Sequence, residues 1–274
     1  MDELLARARR VAAEAEVFTA EVEETPVVFE ANRLKQLLTR QSRSVALRLV
    51  HQGRVGYAET SGWDDGVDLV EQARQVAQFG AEARFHFPPV PPNAGVEVYD
   101  PAVEQVSLED MVALGQAMID AVRRDTPDLV CGARVVRAAA TVSIANTGGS
   151  HASYRRSLFV ADVEGVLVRG TDMLFVGDVQ LSCRPIRDGA EAVASVLRQL
   201  ELCRQTATVP SRPMPVVFTP LGVMSALFVP LAAAFNGRLI FQGASPLKGR
   251  VGERVFDAKL SLAADGSQPY HPAS

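Results

Sequence analysis

The spacing of apolar residues along the first part of the chain changes from helical to alternating and back again. Leu4, Leu5, Ala8, Val11, Ala12 and Ala15 recur every three or four positions between charged residues. This predicts an amphipathic helix from Asp2 to about Glu16, with Asp2 as its cap. The period then becomes two, and β-rich stretches at Val17–Glu23, Val27–Ala31, Ser44–His51 and Val55–Thr60 predict strands. Between the last two, His51-Gln52-Gly53-Arg54 reads as a hairpin turn, because glycine supplies the positive φ that such turns need. Asp64 and Asp65 precede a second helical pattern, with Val67, Val70, Ala73, Val76 and Ala77 on one face.

Phe87-Pro88-Pro89-Val90-Pro91-Pro92-Asn93 supports neither helix nor central strand, since proline removes a donor and restricts its neighbour. It reads as a linker. Ser107 then caps a helix running to about Arg124, with Asp110 three residues on to complement the exposed amides. Strands are expected at Val130–Ala139, Thr141–Ala145, Ser153–Glu164 and Thr171–Arg184, followed by a helix at about Gly189–Thr206. After Pro210, Pro213 and Pro215, Val216–Thr219 reads as a buried strand entering an apolar stretch from Gly222 to Phe235, expected to be core.

These patterns predict an α+β protein of two helix–strands–helix units followed by the start of a mostly β C-terminal domain. The expected boundaries are residues 1–86, a Pro-rich linker at 87–106, a central domain at 107–209, and 210–274.

With 274 residues, 47% of them hydrophobic, the chain has ample material for a buried core. The charged N-terminus lacks a secretory pattern, and the longest apolar run is broken by Pro230 and falls short of the ~20 residues a membrane helix needs. A cytoplasmic location is the expectation, with no membrane partner. A net charge of -4 opposes broad affinity for nucleic acid. Cys131, Cys183 and Cys203 have neither zinc-ribbon spacing nor disulfide density and read as reduced thiols.

Local catalytic motifs are missing. His51, His86, His151 and His271 are isolated and form no zinc-binding spacing. Neither Gly149-Ser150-His151 nor Gly266-Ser267 completes a nucleophile elbow, and the lysine of Gly243–Gly249 follows a proline with no helical pattern after it. A hydrolase with dispersed residues would leave no such local trace. Asn146-Thr147-Gly148-Gly149 is a turn signal followed by Tyr154, Arg155 and Arg156. Two readings stand: a polar loop with a solvated arginine pair, or a contact surface for a peptide or partner formed by Asn146, Gly148, Ser150, Tyr154, Arg155 and Arg156. Arg33, Lys35, Arg40 and Arg43 alternate with leucines, which suits either a solvated face or a DNA contact.

Gly53-Arg54-Val55-Gly56-Tyr57-Ala58, Asn146–Gly149 with Tyr154-Arg155-Arg156, and Gly249-Arg250-Val251-Gly252-Glu253-Arg254-Val255-Phe256-Asp257, taken in order and spacing, resemble the TldD/PmbA family, also called modulators of DNA gyrase. The likeness spans almost the whole chain and favours the PmbA, or TldE, branch. It implies a two-component protease in which a TldD-like subunit binds zinc through His-Glu-x-x-x-His while the TldE-like subunit lacks that motif. Counting back from Val251-Gly252-Glu253, the motif positions hold Phe228, Val229 and Ala233. The resemblance therefore implies no catalytic or metal residue and no cofactor in this chain, with zinc only in a TldD-like partner. That partner would form a heterodimer with this chain, self-association being the alternative, and an unfolded peptide would be the substrate. Pro230 is expected to kink the helix carrying these positions. The family also has a further β region beyond Ser274, so unpaired strand edges are expected around Phe256–Leu262.

Overall fold

A computed structural model describes residues 1–61, 68–89, 95–205, 207–263 and 269. Asp64, Asp65, Val67, residues 90–93 of the proline-rich stretch, and Thr206 lie outside the described residues. The chain divides into two compact units, Met1–Cys203 with Gly266–Ser274, and Arg204–Asp265.

The first unit is built on one antiparallel sheet. Its strands are β1 (Glu14–Glu30), β2 (Arg33–Leu37), β3 (Arg40–His51), β4 (Arg54–Thr60), β5 (Val130–Asn146), β6 (His151–Arg169) and β7 (Asp172–Ser182). They run in the order β4-β3-β1-β5-β6-β7, with β2 also paired to β1. The pairing of β1 with β5 joins strands from before and after the proline-rich stretch into a single ladder.

The elements are longer than the local pattern predicts. Val17–Glu23 and Val27–Ala31 are parts of one strand, because Pro26 falls where β1 has finished pairing with β3 at Glu24 and begins pairing with β2 at Val27. There a missing amide breaks no ladder on that side. The expected helix to Glu16 stops at Ala8 (α1, Asp2–Ala8), since Ala13 already donates to the Val50 carbonyl and Ala15 enters the sheet. Val130–Ala139 and Thr141–Ala145 likewise merge into β5. The strand β2 was not predicted; Ala31 and Asn32, with φ of 47° and 67°, form the tight turn that folds it back onto β1. The predicted hairpin between β3 and β4 is present, with positive φ at both Gln52 and Gly53.

Four further helical pieces complete the unit: α2 (Leu69–Ala77), a 3₁₀ turn (Pro101–Val103), α3 (Leu108–Asp125) and α4 (Ala190–Leu202). Asp68 caps α2, accepting from Val70 and Glu71, and Ser107 caps α3 as predicted, accepting from Asp110. The helix expected from Gly189 to Thr206 is shorter, with Gly189 as N-cap and Cys203 as C-cap.

Odd positions of β1 supply both cores. Ala15 and Val17 pack with Leu4, Leu5, Leu47, Leu49 and Ala73 under α1 and α2, while Val27 and Phe29 pack with Phe159, Met118 and Ile119 under α3 and α4. Because side chains alternate along a strand, these clusters lie on one face of the sheet, separated by Thr19, Glu21 and Glu23. Close approach of α2 to β4 depends on Gly56, where a Cβ would lie 1.9 Å from the Ala73 carbonyl oxygen.

The second unit has α5 (Pro220–Gly222), a π-helical stretch (Val223–Phe228), α6 (Val229–Ala234) and α7 (Gly237–Gln242), and no strand among its described residues. The expected strand Val216–Thr219 has no ladder partner and leads into α5, whose cap is Thr219; Phe256–Leu262 also forms no strand. The stretch Gly222–Phe235, expected to be core, is helical but contains no buried residue, because no second layer within its unit covers it. Pro230 sits in the first turn of α6, directly after the π turns. A wider turn there gives the proline ring room, and in a first turn its missing amide removes no bond within α6.

Candidate functional site

Asn146 organises the β5–β6 turn. Its side-chain oxygen accepts from Gly148 N (2.9 Å) and Ser150 N (3.2 Å), and its side-chain nitrogen donates to the Pro88 carbonyl (3.0 Å). Gly149 takes φ of 92°, and Thr147 Oγ1 accepts from Ala15 N at 3.0 Å, so the turn is stapled to the start of β1. Buried Asn146 holds this turn, with Gly148 and Ser150 as its backbone partners.

The structure divides the rest of the sequence-derived set between two faces. Arg155 shares its face with Glu21 and Thr141; it donates to Glu104 (2.8 Å) and stacks over Tyr99 at 4.1 Å. Glu104 also accepts from the Tyr99 hydroxyl, which raises that phenol's pKa. Tyr154 and Arg156 lie on the opposite face, beside Val142 and Ala140. Among the described residues of this unit no helix packs over that face: Phe18, Ala20, Ile144, Val142, Ala152 and Tyr154 occupy it, with Phe18 38% and Tyr154 47% exposed.

Sequence reasoning missed a second group on this face. After α2 the chain pairs briefly with the β4 hairpin, through Val55 N to Ala81 O (2.9 Å) and Ala83 N to Gly53 O (2.7 Å), and then crosses the strand ends. There Glu14 accepts from Phe87 N at 2.8 Å and from the His86 ring, which lowers the Glu14 pKa, His86 being the larger cause. Arg48, held by Glu16 at 2.6 Å, places its guanidinium 5.4 and 5.0 Å from the ring centres of Phe85 and Phe87. The available signal was two phenylalanines at alternate positions, Phe85 and Phe87, straddling the boundary at which sequence pattern alone begins a linker.

Other candidates can be placed as well. Phe228 ends the π stretch, and Val229 and Ala233 are one turn apart on α6; none carries a donor atom for a metal. Among the described residues there is no group of three or more His, Cys, Asp or Glu arranged to hold a metal ion, and no helix long and apolar enough to cross a membrane. Of the basic quartet, Arg43 pairs with Glu21 at 2.6 Å and Lys35 with Glu30 at 3.7 Å. Cys131 and Cys183 are buried free thiols; burial pushes Cys131 up to about 11 and also raises Cys183, which makes both poor nucleophiles. A cavity of about 860 Å³ opens between α3 and α4, walled by Ala113, Ala117, Val193 and Leu197 above Met118 and Phe159.

The order of these elements matches three parts of one family: the PmbA/TldA metallopeptidase domain 1 over residues 15–77, the central domain over 101–200 and the C-terminal domain over 211–274. The chain belongs to the TldD/PmbA family.

Among particular relatives, the protein MJ0231 of Methanocaldococcus jannaschii is 21% identical over 268 residues, covering 94% of this chain and 59% of its own length. The crystal structure of TldE from Thermococcus kodakarensis superposes with a TM-score of 0.75 at 18% identity, covering 92% of this chain and 59% of that one. A proposed modulator of a DNA gyrase from Thermotoga maritima superposes equally well, with a TM-score of 0.75 at 17% identity, covering 92% of this chain and 58% of that one. The chain thus spans somewhat under two thirds of the length of each of these relatives.

Proposed function

We propose that this chain is a TldE-like, non-catalytic subunit of a TldD/TldE-type zinc metalloprotease, binding unfolded peptide and presenting it to a zinc-bearing partner. The observation that carries the reading is chemical: the positions corresponding to the family's zinc motif hold Phe228, Val229 and Ala233, whose hydrocarbon side chains offer a metal nothing. The sheet face bearing Phe18, Ile144, Val142 and Tyr154 supports the peptide-binding part, since it presents partly exposed apolar side chains with Arg156 at one side.

Coexpression with a TldD-like subunit tests this directly. The expected result is a copurifying pair that cleaves an unstructured peptide, while the chain alone cleaves none and carries no stoichiometric zinc. One zinc per isolated chain would overturn the assignment. The alternative, a regulator acting on DNA or a DNA-bound protein, has less support, because Glu21 and Glu30 compensate two of the four basic side chains it would use.

A further inference from the structure

The sheet ends in a strand whose outer edge is only partly satisfied. Among the described residues, β7 has β6 on one side and no strand on the other. Gly177 shows which way its backbone points. Its N–H donates to the Gln199 side-chain oxygen (3.2 Å) and its carbonyl accepts from the Gln199 side-chain nitrogen (2.9 Å), so both groups face away from β6. Alternation then turns the amides and carbonyls of Met173, Phe175, Val179 and Leu181 to the same outer edge. Asp178 Oδ1 accepts from Val179 N at 2.7 Å, while among the described residues no bond from this edge is made at Met173, Phe175 or Leu181. The side chains of Gln199 and Asp178 thus stand where the backbone of a further strand would be, and the flanks are bare.

Beyond these two side chains nothing guards the edge. The strand contains no proline, and its ladder with β6 runs without a bulge from Ser182 back to Asp172. Leu174 and Val176 pack into the core under α4, so the odd positions lie on the other face of the sheet. There Met173 is 53%, Phe175 69%, Val179 42% and Leu181 53% exposed.

The order of these side chains identifies the occupant. Under a two-fold axis at Gly177, Met173 falls opposite Leu181, Phe175 opposite Val179, and Gly177 opposite its own copy. Every outward-pointing residue then meets another, as a hydrogen-bonded antiparallel pair requires, and every pair on that face is apolar or glycine. Such self-complementarity is what an isologous dimer needs. The two Gly177 residues exchange with each other the bonds that each now makes with Gln199. Val179 N exchanges Asp178 for the Phe175 carbonyl of the other copy, and the bonds at Met173 and Leu181 are new.

We infer that β7 is a dimerisation edge: a second copy of this chain adds its own β7 antiparallel about Gly177, and Gln199 is the side chain that gives way to it. The interface goes beyond the subunit assignment above and does not depend on it.

Sedimentation velocity of the full chain from about 1 to about 100 µM should show monomer giving way to dimer. Over the same range the Phe175 and Leu181 amides should become protected from hydrogen exchange about tenfold. Phe175→Lys should weaken dimerisation at least about tenfold, since it sets an ammonium against Val179 of the other copy. Gln199→Ala, which removes the competing amide, should tighten it about tenfold. Tyr57→Lys, an equally exposed change on the opposite edge strand β4, should leave it unchanged. A chain that stays monomeric throughout overturns the inference, as does a dimer whose β7 amides exchange freely, one that Phe175→Lys leaves intact or Tyr57→Lys breaks, or one that Gln199→Ala fails to tighten. Should Gln199→Ala lose its cooperative thermal melt, Phe175→Lys and the exchange measurement decide alone. None of these outcomes bears on zinc content or peptide cleavage, so the subunit assignment is judged separately.

Discussion

The two units differ in what their secondary structure encloses. In Met1–Cys203, apolar side chains from strands and helices meet: Phe29, Phe159, Leu47, Leu49, Met111 and Ile119 are all nearly or fully removed from water. In Arg204–Asp265, Thr219 caps α5 and Asn236 caps α7, yet Val217 is 94%, Phe241 79% and Val251 97% exposed, and the sole buried residue among those described is Ser245. Local signals such as Asn236 capping α7 and Gly243 ending it in a left-handed conformation are enough to specify helices. They do not supply a core, which needs a second apolar layer.

The sharpest way to break this comparison is to remove a large ring from each unit. Phe159→Ala should destabilise the chain by about 3–5 kcal/mol in urea unfolding, whereas Phe241→Ser should cost under about 0.5 kcal/mol. Similar losses from both would mean that Phe241 is covered in solution and the contrast is false.

Caps provide a finer measure. Ser107→Ala removes the acceptor for Asp110 N from an eighteen-residue helix packed on the sheet, and should lower stability by about 1 kcal/mol. Thr219→Ala removes the equivalent acceptor for Gly222 N from a three-residue helix without a buried face, so the urea midpoint should scarcely move.

The smallest effect is electrostatic. Hydrogen bonds from His86 and Phe87 hold the Glu14 carboxyl below its ordinary value of 4.5 in the folded state. The stability this contributes is therefore fully present above that value and is lost as pH falls through the lowered one. Urea midpoints measured from about pH 6 to about pH 3 should fall less steeply in Glu14→Gln than in the parent. Parallel curves would remove Glu14 from the contacts holding Phe85–Pro88.

Periodicity made the α+β character and most elements of the first unit legible, and chemistry made the Ser107 cap and the Gln52-Gly53 turn legible. Strand lengths were not, because Pro26 and Ala140 resemble breaks until the neighbouring strands are known. The face shared by the two cores was hidden for a similar reason: Ala15 reads as the end of a helix, and Val17 as part of a different strand from Val27 and Phe29, although all four lie on one strand. Of the candidate contact residues, adjacency in sequence grouped Tyr154 with Arg155, while strand geometry sends them to opposite faces. Glu14, Arg48 and Phe87 converge from distant positions, and no local spacing announces such a group.

The β1–β5 ladder also carries a consequence for how the protein comes into being. Val17 finds its neighbour in Ala145, so the first long strand must wait on one side while α2, the proline-rich crossing and α3 are synthesised. Pairings so remote in sequence give a high contact order and slow folding, with an unpaired strand edge available to other chains meanwhile. During that interval only the β3 side of β1 can be occupied, by a hairpin made from nearby residues, and this early partner is what would keep the nascent chain out of aggregates.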